Sequence, residues 1–197
     1  MENNNKTLYT ITVFSENRVG LLNQITIILN RRQLNIETLS VSPSALKGIH
    51  KFTITTYSDH ETIEKVVKQI DKRIDILKAY YNTDDELVYQ EIALYKIATK
   101  HILEKGSIES LIRDHDITVL EITDNAVVFQ KTGLYDETQK LFEDLSKTVG
   151  VLQFIRSGRV AITRSKVERL SDMLAEREKS IARRKNNQTV KDTTLTD

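Results

Sequence analysis

The chain has 197 residues, with 29 Lys and Arg against 28 Asp and Glu, no Cys, six Gly and one Pro. A net charge of +1 gives no electrostatic reason to expect nucleic acid or an anionic membrane as partner. The lack of Cys excludes disulfides, thiolate metal sites and Cys nucleophiles, and the few Gly and Pro residues favour short connections between long elements. No apolar run approaches the roughly 20 residues of a membrane span. The polar start is unlike a signal peptide, so we expect a cytoplasmic protein.

The first half of the chain carries the pattern of four strands and two helices. Strands are predicted from β-branched and aromatic residues over 8–14, 36–42, 50–57 and 74–81, and Pro43 ends the second of them. Apolar residues recur at helical spacing in two stretches, namely Val19, Leu22, Ile25, Ile28 and Leu29 (up to about Arg32), and Ile63, Val66, Val67 and Ile70. The order βαββαβ, with right-handed crossovers, predicts both helices on one face of a four-stranded antiparallel sheet. This is a ferredoxin-like arrangement of the α+β class.

An acidic stretch at 83–86 is followed by the same pattern again. The second set of predicted elements comprises strands over 91–98, 117–123, 126–131 and 151–156, and helices over 99–114, loosened by Gly106, and 136–148. ITVLEIT from Ile117 aligns with IETLSVS from Ile36, and VGVLQFIR from Val149 aligns with IDILKAYY from Ile74. We therefore expect two tandem ferredoxin-like domains, over 7–82 and 88–164, rather than one large domain.

Two segments follow the second domain. Residues 165–185 are predicted to form a C-terminal amphipathic helix, with Val167, Leu170, Leu174 and Ile181 on its apolar stripe. The polar residues 186–197 are predicted to be disordered. Basic residues at 183–185 suit a helix C-terminus, and the absence of interleaved aromatic residues argues against nucleic-acid binding.

No set of residues indicates catalysis or a metal site. The four His residues have no metal-binding spacing, and no Gly-rich phosphate loop is present; they are His50, His60, His101 and His115. Carboxylates lie mostly at the spacing of a solvated helix face. A binding or regulatory protein is the better interpretation.

One turn, between the first strand and the first helix, has residues suited to a small anion. A helix N-terminus presents unpaired N–H groups and a positive dipole end, which suit a carboxylate. Gly20 has no Cβ, so a ligand can approach, and Asn17 can cap the helix or bond to a ligand. The alternative is that Asn17 is only the cap and Gly20 only eases tight packing. The second half has Thr99-Lys100-His101 instead, so a ligand would bind in the first domain.

Three separated stretches resemble the family of small regulatory subunits of acetohydroxyacid (acetolactate) synthase, which are ACT-domain proteins. The stretch 8–41 has the family's E-N-x-x-G-x-L at 16–22, a basic pair at 31–32 and N-I-E-T-L at 35–39. QEIALYKIA and GVLQFIRSGRVAITR are similar to the opening and the close of the family's C-terminal domain. The resemblance covers about 7–166, but Gln33 stands where many members have Gly, and Asn23 where Ser is common.

The resemblance implies a subunit with no active site of its own. Such a subunit activates a large catalytic partner and confers feedback inhibition, usually by valine. Thiamine diphosphate, Mg and FAD would belong to that partner, which condenses pyruvate with pyruvate or 2-oxobutanoate in branched-chain amino-acid biosynthesis. The resemblance also implies a homodimer with valine, or another branched-chain amino acid, between two first domains. The matching site residues are Asn17, Gly20, Leu21 and Leu22 of one chain, and Asn35 and Ile36 of the other.

Two alternatives stay open. One is a free-standing ACT-type amino-acid sensor that acts on another partner. The other is a nucleic-acid-binding ferredoxin-like protein, for which Tyr9, Phe52 and Tyr57 could supply exposed aromatic rings, although the charge balance argues against it. The weak pattern of 36–42 is typical of an edge strand that pairs across a dimer.

Overall fold

The computed structural model describes residues 6–105, 112, 113, 115–164, 172, 174 and 175. The chain divides into two compact units, one formed by residues up to Leu87 with those from Thr163 onward, and the other by Val88–Ile162. The first sheet and its helices are β1 (Thr7–Glu16), α1 (Leu21–Arg31), β2 (Thr38–Pro43), β3 (Ile49–Ser58), α2 (His60–Asp71) and β4 (Ile76–Asn82), followed by a 3-10 turn at Asp84–Glu86. The second sheet and its helices are β5 (Leu87–Ala98), α3 (Thr99–Lys105), β6 (Thr118–Ile122), β7 (Ala126–Gly133), α4 (Tyr135–Thr148) and β8 (Gln153–Thr163).

The two sheets have the same topology. Their strand orders are β2-β3-β1-β4 and β6-β7-β5-β8. In the first sheet β1 is antiparallel to both neighbours, with Thr10 opposite Thr55 on β3 and Asn82 on β4. The predicted fold class, α+β with two tandem ferredoxin-like units, is confirmed. Of the predicted C-terminal segments, only Asp172, Leu174 and Ala175 fall within the described residues, and these three are helical.

The core of the first domain lies between the sheet and its two helices. Alternation along β1 directs Tyr9, Ile11 and Val13 to this side. The predicted apolar stripe of α2 packs there too, with all four of its members buried. Asp59 caps α2 by accepting a 2.8 Å hydrogen bond from the N–H of Thr62. Sequence periodicity therefore predicted the inner layer of this domain correctly, apart from the start of α1.

The start of α1 differs from the prediction. The buried residues of the helix are Leu21, Ile25, Ile28 and Leu29, whereas Val19 and Leu22 are exposed. Strand β1 continues to Glu16, and Gly20 turns the chain at φ +84° immediately before the helix. Val19 therefore belongs to the turn. The stripe at i, i+4, i+7 and i+8 starts at Leu21.

The other end of α1 is a Schellman motif. The N–H of Leu34 donates to the carbonyl of Leu29 at 3.1 Å, and the N–H of Gln33 to that of Asn30 at 3.0 Å. Gln33 has φ +55°, in the left-handed region that favours glycine. This conformation is the physical reason why Gly suits the position. Leu34 then enters the core beside Leu29.

Several predicted strand ends shift. Strand β4 begins at Ile76 and leaves Ile74 exposed, and β5 begins at Leu87, before the predicted residue 91. Strand β8 runs over Gln153–Thr163 instead of 151–156, because Gly158, at φ +73°, lies within the strand and does not end it. Strand β2 lies at a sheet edge and ends at Pro43, as predicted. Of the helix predicted over 99–114, the structure describes Thr99–Lys105 as α3. Gly106 lies outside the described residues.

A polar cluster is buried in the second domain. The guanidinium of Arg156 lies 3.3 Å from the carboxylate of Glu91 and 4.1 Å from the ring centroid of Tyr135. The hydroxyl of Thr138 donates to Glu91, and the hydroxyl of Tyr95 donates to the carbonyl of Thr138 at 2.7 Å. Burial raises the pKa of Tyr95 to about 12. This cluster joins β5, β8 and α4, so the basic residue at 156 has a structural role.

Candidate functional site

The turn between β1 and α1 is held by two neighbouring loops. The N–H of Asn17 donates to the carbonyl of Gly48 at 2.9 Å, and the N–H of Glu16 donates to that of Asp75 at 3.1 Å. The guanidinium of Arg18 forms ion pairs with the carboxylates of Glu16 and Asp75, each at 2.9 Å. The turn is therefore anchored to the loop before β3 and to the loop before β4.

Gly20 is required by the backbone. It is the N-cap residue of α1, at φ +84°, a conformation that L side chains rarely adopt. A Cβ added at Gly20 would meet no atom within 4 Å, so tight packing does not explain the glycine. The space in front of the helix start is open.

The start of α1 has the properties of an anion site. No side chain of the described residues caps the helix, and its first turn contains no acidic residue. The hypothesis that Asn17 serves merely as the cap is therefore wrong. Asn17 is exposed and lies three residues before the N-cap residue Gly20. The first N–H groups of a helix have no intrahelical acceptor, and the dipole favours negative charge there.

Asn35 and Ile36 lie after the other end of α1. The carbonyl of Asn35 accepts a 2.6 Å hydrogen bond from the hydroxyl of Thr56, which fixes this segment against β3. Asn35 is exposed, and Ile36 is half-buried against the first core. The N–H of Glu37 donates to Thr55 and begins the pairing with β3.

The structure brings four of the six predicted site residues together. Asn17, Gly20, Leu21 and Leu22 all lie in the turn and the helix start. Helix α1, which has 11 residues and is about 16 Å long, separates these four from Asn35 and Ile36. The side chain of Leu21 is only 2% exposed and packs in the core, and the N–H of Leu21 donates to the carbonyl of Arg18 at 3.4 Å, so the residue itself offers a ligand little. The side chain of Leu22 is exposed.

Sequence reasoning missed the ion pairs of Arg18 and their partner Asp75. The sequence does show opposite charges in the two turns. However, Arg18 and Asp75 are 57 residues apart, so their pairing can be predicted only when the strand order is known. In the second domain α3 begins at Thr99, directly after β5 ends at Ala98, so the turn has no equivalent there. The prediction that the second copy lacks this turn is confirmed.

Other polar residues have structural partners. His60 lies 3.2 Å from the hydroxyl of Tyr81, and His101 lies 3.0 Å from the carbonyl of Val149. Within the described ranges, no group of three His, Asp or Glu side chains is arranged to hold a metal ion. In the same ranges, no helix is long and apolar enough to cross a membrane.

Comparison with known proteins gives two family matches that divide the chain as the fold does. A model described as AHAS small subunit-like ACT domain matches residues 11–78, and one described as small subunit of acetolactate synthase matches 90–165. The acetolactate synthase small subunit of Bacillus subtilis is 30% identical over 84% of this chain and 95% of its own length. That of Aquifex aeolicus is 32% identical over 79% and 81%, respectively.

A solved structure agrees. The crystal structure of the acetolactate synthase small subunit from Thermotoga maritima matches with a TM-score of 0.71 at 22% identity, covering 81% of this chain and 99% of that one. This likeness shows the fold, and the sequence matches show the family. The chain therefore belongs to the acetolactate synthase small-subunit family, the regulatory, non-catalytic subunits of that enzyme of branched-chain amino-acid biosynthesis.

Proposed function

We propose that this chain binds and activates a large catalytic subunit of acetolactate synthase and makes that enzyme sensitive to valine. Valine binds between two copies of the first domain. The observation that carries this proposal is the open helix start at Gly20, in a turn that the second domain lacks. The family membership supplies the partner.

The chemistry of the turn suits an amino acid. The carboxylate of valine takes N–H groups at the start of α1, near Gly20 and Leu22. The amide oxygen of Asn17 and oxygens near Asn35 of the other chain accept from the ammonium group. Leu22 and Ile36 enclose the isopropyl group. Burying that group contributes roughly 1.5–3 kcal/mol and each charge-assisted hydrogen bond about the same, against an association cost of about 4 kcal/mol or more. We expect a dissociation constant between about micromolar and millimolar.

A dimer follows from the dimensions of α1. One amino acid spans only about 3.5 Å of extended chain, so it cannot contact both ends of an 11-residue helix. A site that uses Asn17 and Asn35 together therefore needs two chains. Strand β2 lies at the sheet edge and begins three residues after Asn35, and exposed edges are available for pairing with another chain.

The catalytic chemistry belongs to the partner in this proposal. Thiamine diphosphate, Mg and FAD are bound by the large subunit, and the contribution of this chain is to change the activity of that subunit. Valine alters the activity through the first domain.

Co-purification tests the proposal. A tagged copy of this chain, co-expressed with the large subunit of the same organism, is expected to retain that subunit and to raise its acetolactate production, and valine is expected to lower the production. A Gly20→Asp variant should keep the partner and the activation but lose the response to valine. Valine binding without any association with the large subunit would instead favour a free-standing amino-acid sensor.

A further inference from the structure

The two sheets differ on the face opposite to their helices, which we call the outer face. In the second domain this face is open, with Ile92 on β5 43% exposed and Ile155 on β8 55% exposed. In the first domain the outer face of the corresponding central strand, β1, is buried, with Thr10 only 1% and Thr12 only 3% exposed. The topology is the same, so the difference requires something that covers the first sheet.

The helices of the first domain are not the cover. Tyr9, Ile11 and Val13 on β1 face α1 and α2, so Thr10, Thr12 and Phe14 point the other way. One face of an antiparallel sheet is commonly in contact with solvent. Burial of the threonines on this side is therefore unusual and marks an intramolecular contact.

A residue of the C-terminal segment lies on this face. Leu174 packs against an apolar cluster whose buried members are Phe14, Ile49 and Leu77. The segment starts close by, because the N–H of Arg164 donates to the carbonyl of Glu86 at 2.9 Å, just after β4. Leu174 is half-buried, whereas Asp172 and Ala175 are exposed, as expected where one side of a helix contacts a surface.

We propose that the C-terminal segment around Leu174 covers the outer face of the first sheet of its own chain. Leu174 is the described member of the apolar stripe that the sequence predicts for this segment, and it contacts Phe14, Ile49 and Leu77. Both family models end at or before residue 165. The cover is therefore an addition to the part of the chain that the family shares.

The position of the cover connects it with the turn between β1 and α1. Phe14 lies two residues before Glu16, and Leu77 lies two residues after Asp75. Arg18 pairs with both Glu16 and Asp75. The segment thus clamps the two strand ends that hold this turn, and its displacement is expected to loosen them.

Cross-linking tests the contact, because the chain has no Cys. In the full-length chain, Leu174→Cys combined with Leu77→Cys is expected to be joined by a short thiol-specific cross-linker within one chain. The matched control, Asp172→Cys with Leu77→Cys, should be joined far less. Equal yields for the two pairs, or no product for either, would overturn the proposal. A product of dimer mass would show that a second copy is the occupant, and would overturn it too.

Thermal unfolding of the full-length chain provides a second measurement. Leu174→Asp is expected to lower the melting temperature by about 4 °C or more, since a charge then replaces the apolar contact. Asp172→Asn should leave it nearly unchanged. An equal effect of both variants would contradict the proposal. Neither experiment involves valine or the catalytic subunit, so its outcome is independent of the proposed function.

Discussion

Asn17 and Asn35 lie beyond opposite ends of α1, an 11-residue helix about 16 Å long. A twofold dimer that brings Asn17 of one chain near Asn35 of the other does the same for the second pair, because such an interface is isologous. The proposed dimer would therefore hold two equivalent effector sites. One chain alone would hold two incomplete halves.

Two substitutions of Gly20 distinguish the effect of charge on valine binding from the effect of backbone conformation. Asn and Asp both tolerate the left-handed backbone better than other side chains, and a side chain at Gly20 meets no neighbour. We expect both Gly20→Asn and Gly20→Asp to fold, with changes in unfolding free energy of about 1 kcal/mol or less. Titration calorimetry should show that Gly20→Asp abolishes valine binding by charge repulsion, and that Gly20→Asn weakens it less. Equal binding by Gly20→Asp and the parent chain would argue against a carboxylate at this helix start.

Gln33→Gly is expected to stabilise the first domain. Gln33 sits at φ +55° after α1, and a left-handed backbone costs a non-glycine residue roughly 1–2 kcal/mol. Glycine relieves this strain but loses some chain entropy, so we expect a net gain of about 0.5–1 kcal/mol in chemical denaturation. Arg32→Gly is the control, since Arg32 has φ −102° and gains nothing. Stabilisation by both variants, or by neither, would contradict the assignment of strain to Gln33.

The raised pKa of Tyr95 predicts how the stability of the second domain changes at high pH. Burial raises the pKa of its hydroxyl from 10.0 to about 12, so folding favours the neutral form. This contribution to stability is complete below pH 10 and is lost as the pH rises toward 12. Tyr95→Phe removes the hydrogen bond to Thr138, costs about 1 kcal/mol at neutral pH and makes stability fall less steeply above pH 10. Urea unfolding at several pH values between 10 and 12 measures this dependence, and Tyr57→Phe, at an exposed position, is the control. If the unfolding free energy of Tyr95→Phe fell with pH as steeply as that of the parent chain, the prediction would be refuted.

The buried pair of Arg156 and Glu91 predicts a large loss on truncation. Arg156→Ala leaves a carboxylate buried without its cation, which typically costs about 3–5 kcal/mol. Lys140→Ala, at an exposed position of the same domain, should change the unfolding free energy by less than about 0.5 kcal/mol. The double variant Glu91→Gln with Arg156→Met should recover part of the loss. Similar denaturation midpoints for Arg156→Ala and the parent chain would mean that the pair is not a buried interaction.

Much of the fold was predictable because its period is explicit in the sequence. The stripe Ile63, Val66, Val67 and Ile70 has one helical solution, and the structure buries all four. Val19 and Leu22 also match a helical period. The helix nevertheless begins only at Leu21, because Gly20 before it adopts a positive φ, and the sequence period does not reveal this local conformation. The left-handed conformation of Gln33 was hidden for the same reason, since Gln does not indicate it.

The candidate site was predictable in part. The motif containing Asn17, Gly20 and Leu22 located the turn, but neither the burial of Leu21 nor the anchoring by Arg18 and Asp75 follows from residue spacing. Both depend on how distant strands are ordered in the sheet. That the length of α1, about 16 Å, separates the two half-sites likewise appears only when the bounds of this helix are known.

Complementation between two defective variants tests the shared site most directly. Gly20→Asp disrupts the half-site at the start of α1, and Asn35→Lys disrupts the half-site after the end of α1. Each variant alone is therefore expected to bind no valine in titration calorimetry. When the two chains are mixed and allowed to exchange partners, each mixed dimer has one site built from two intact halves, and binding should reappear with the affinity of the parent chain. No recovery in a mixture shown by mass to contain mixed dimers would contradict a site shared between two chains.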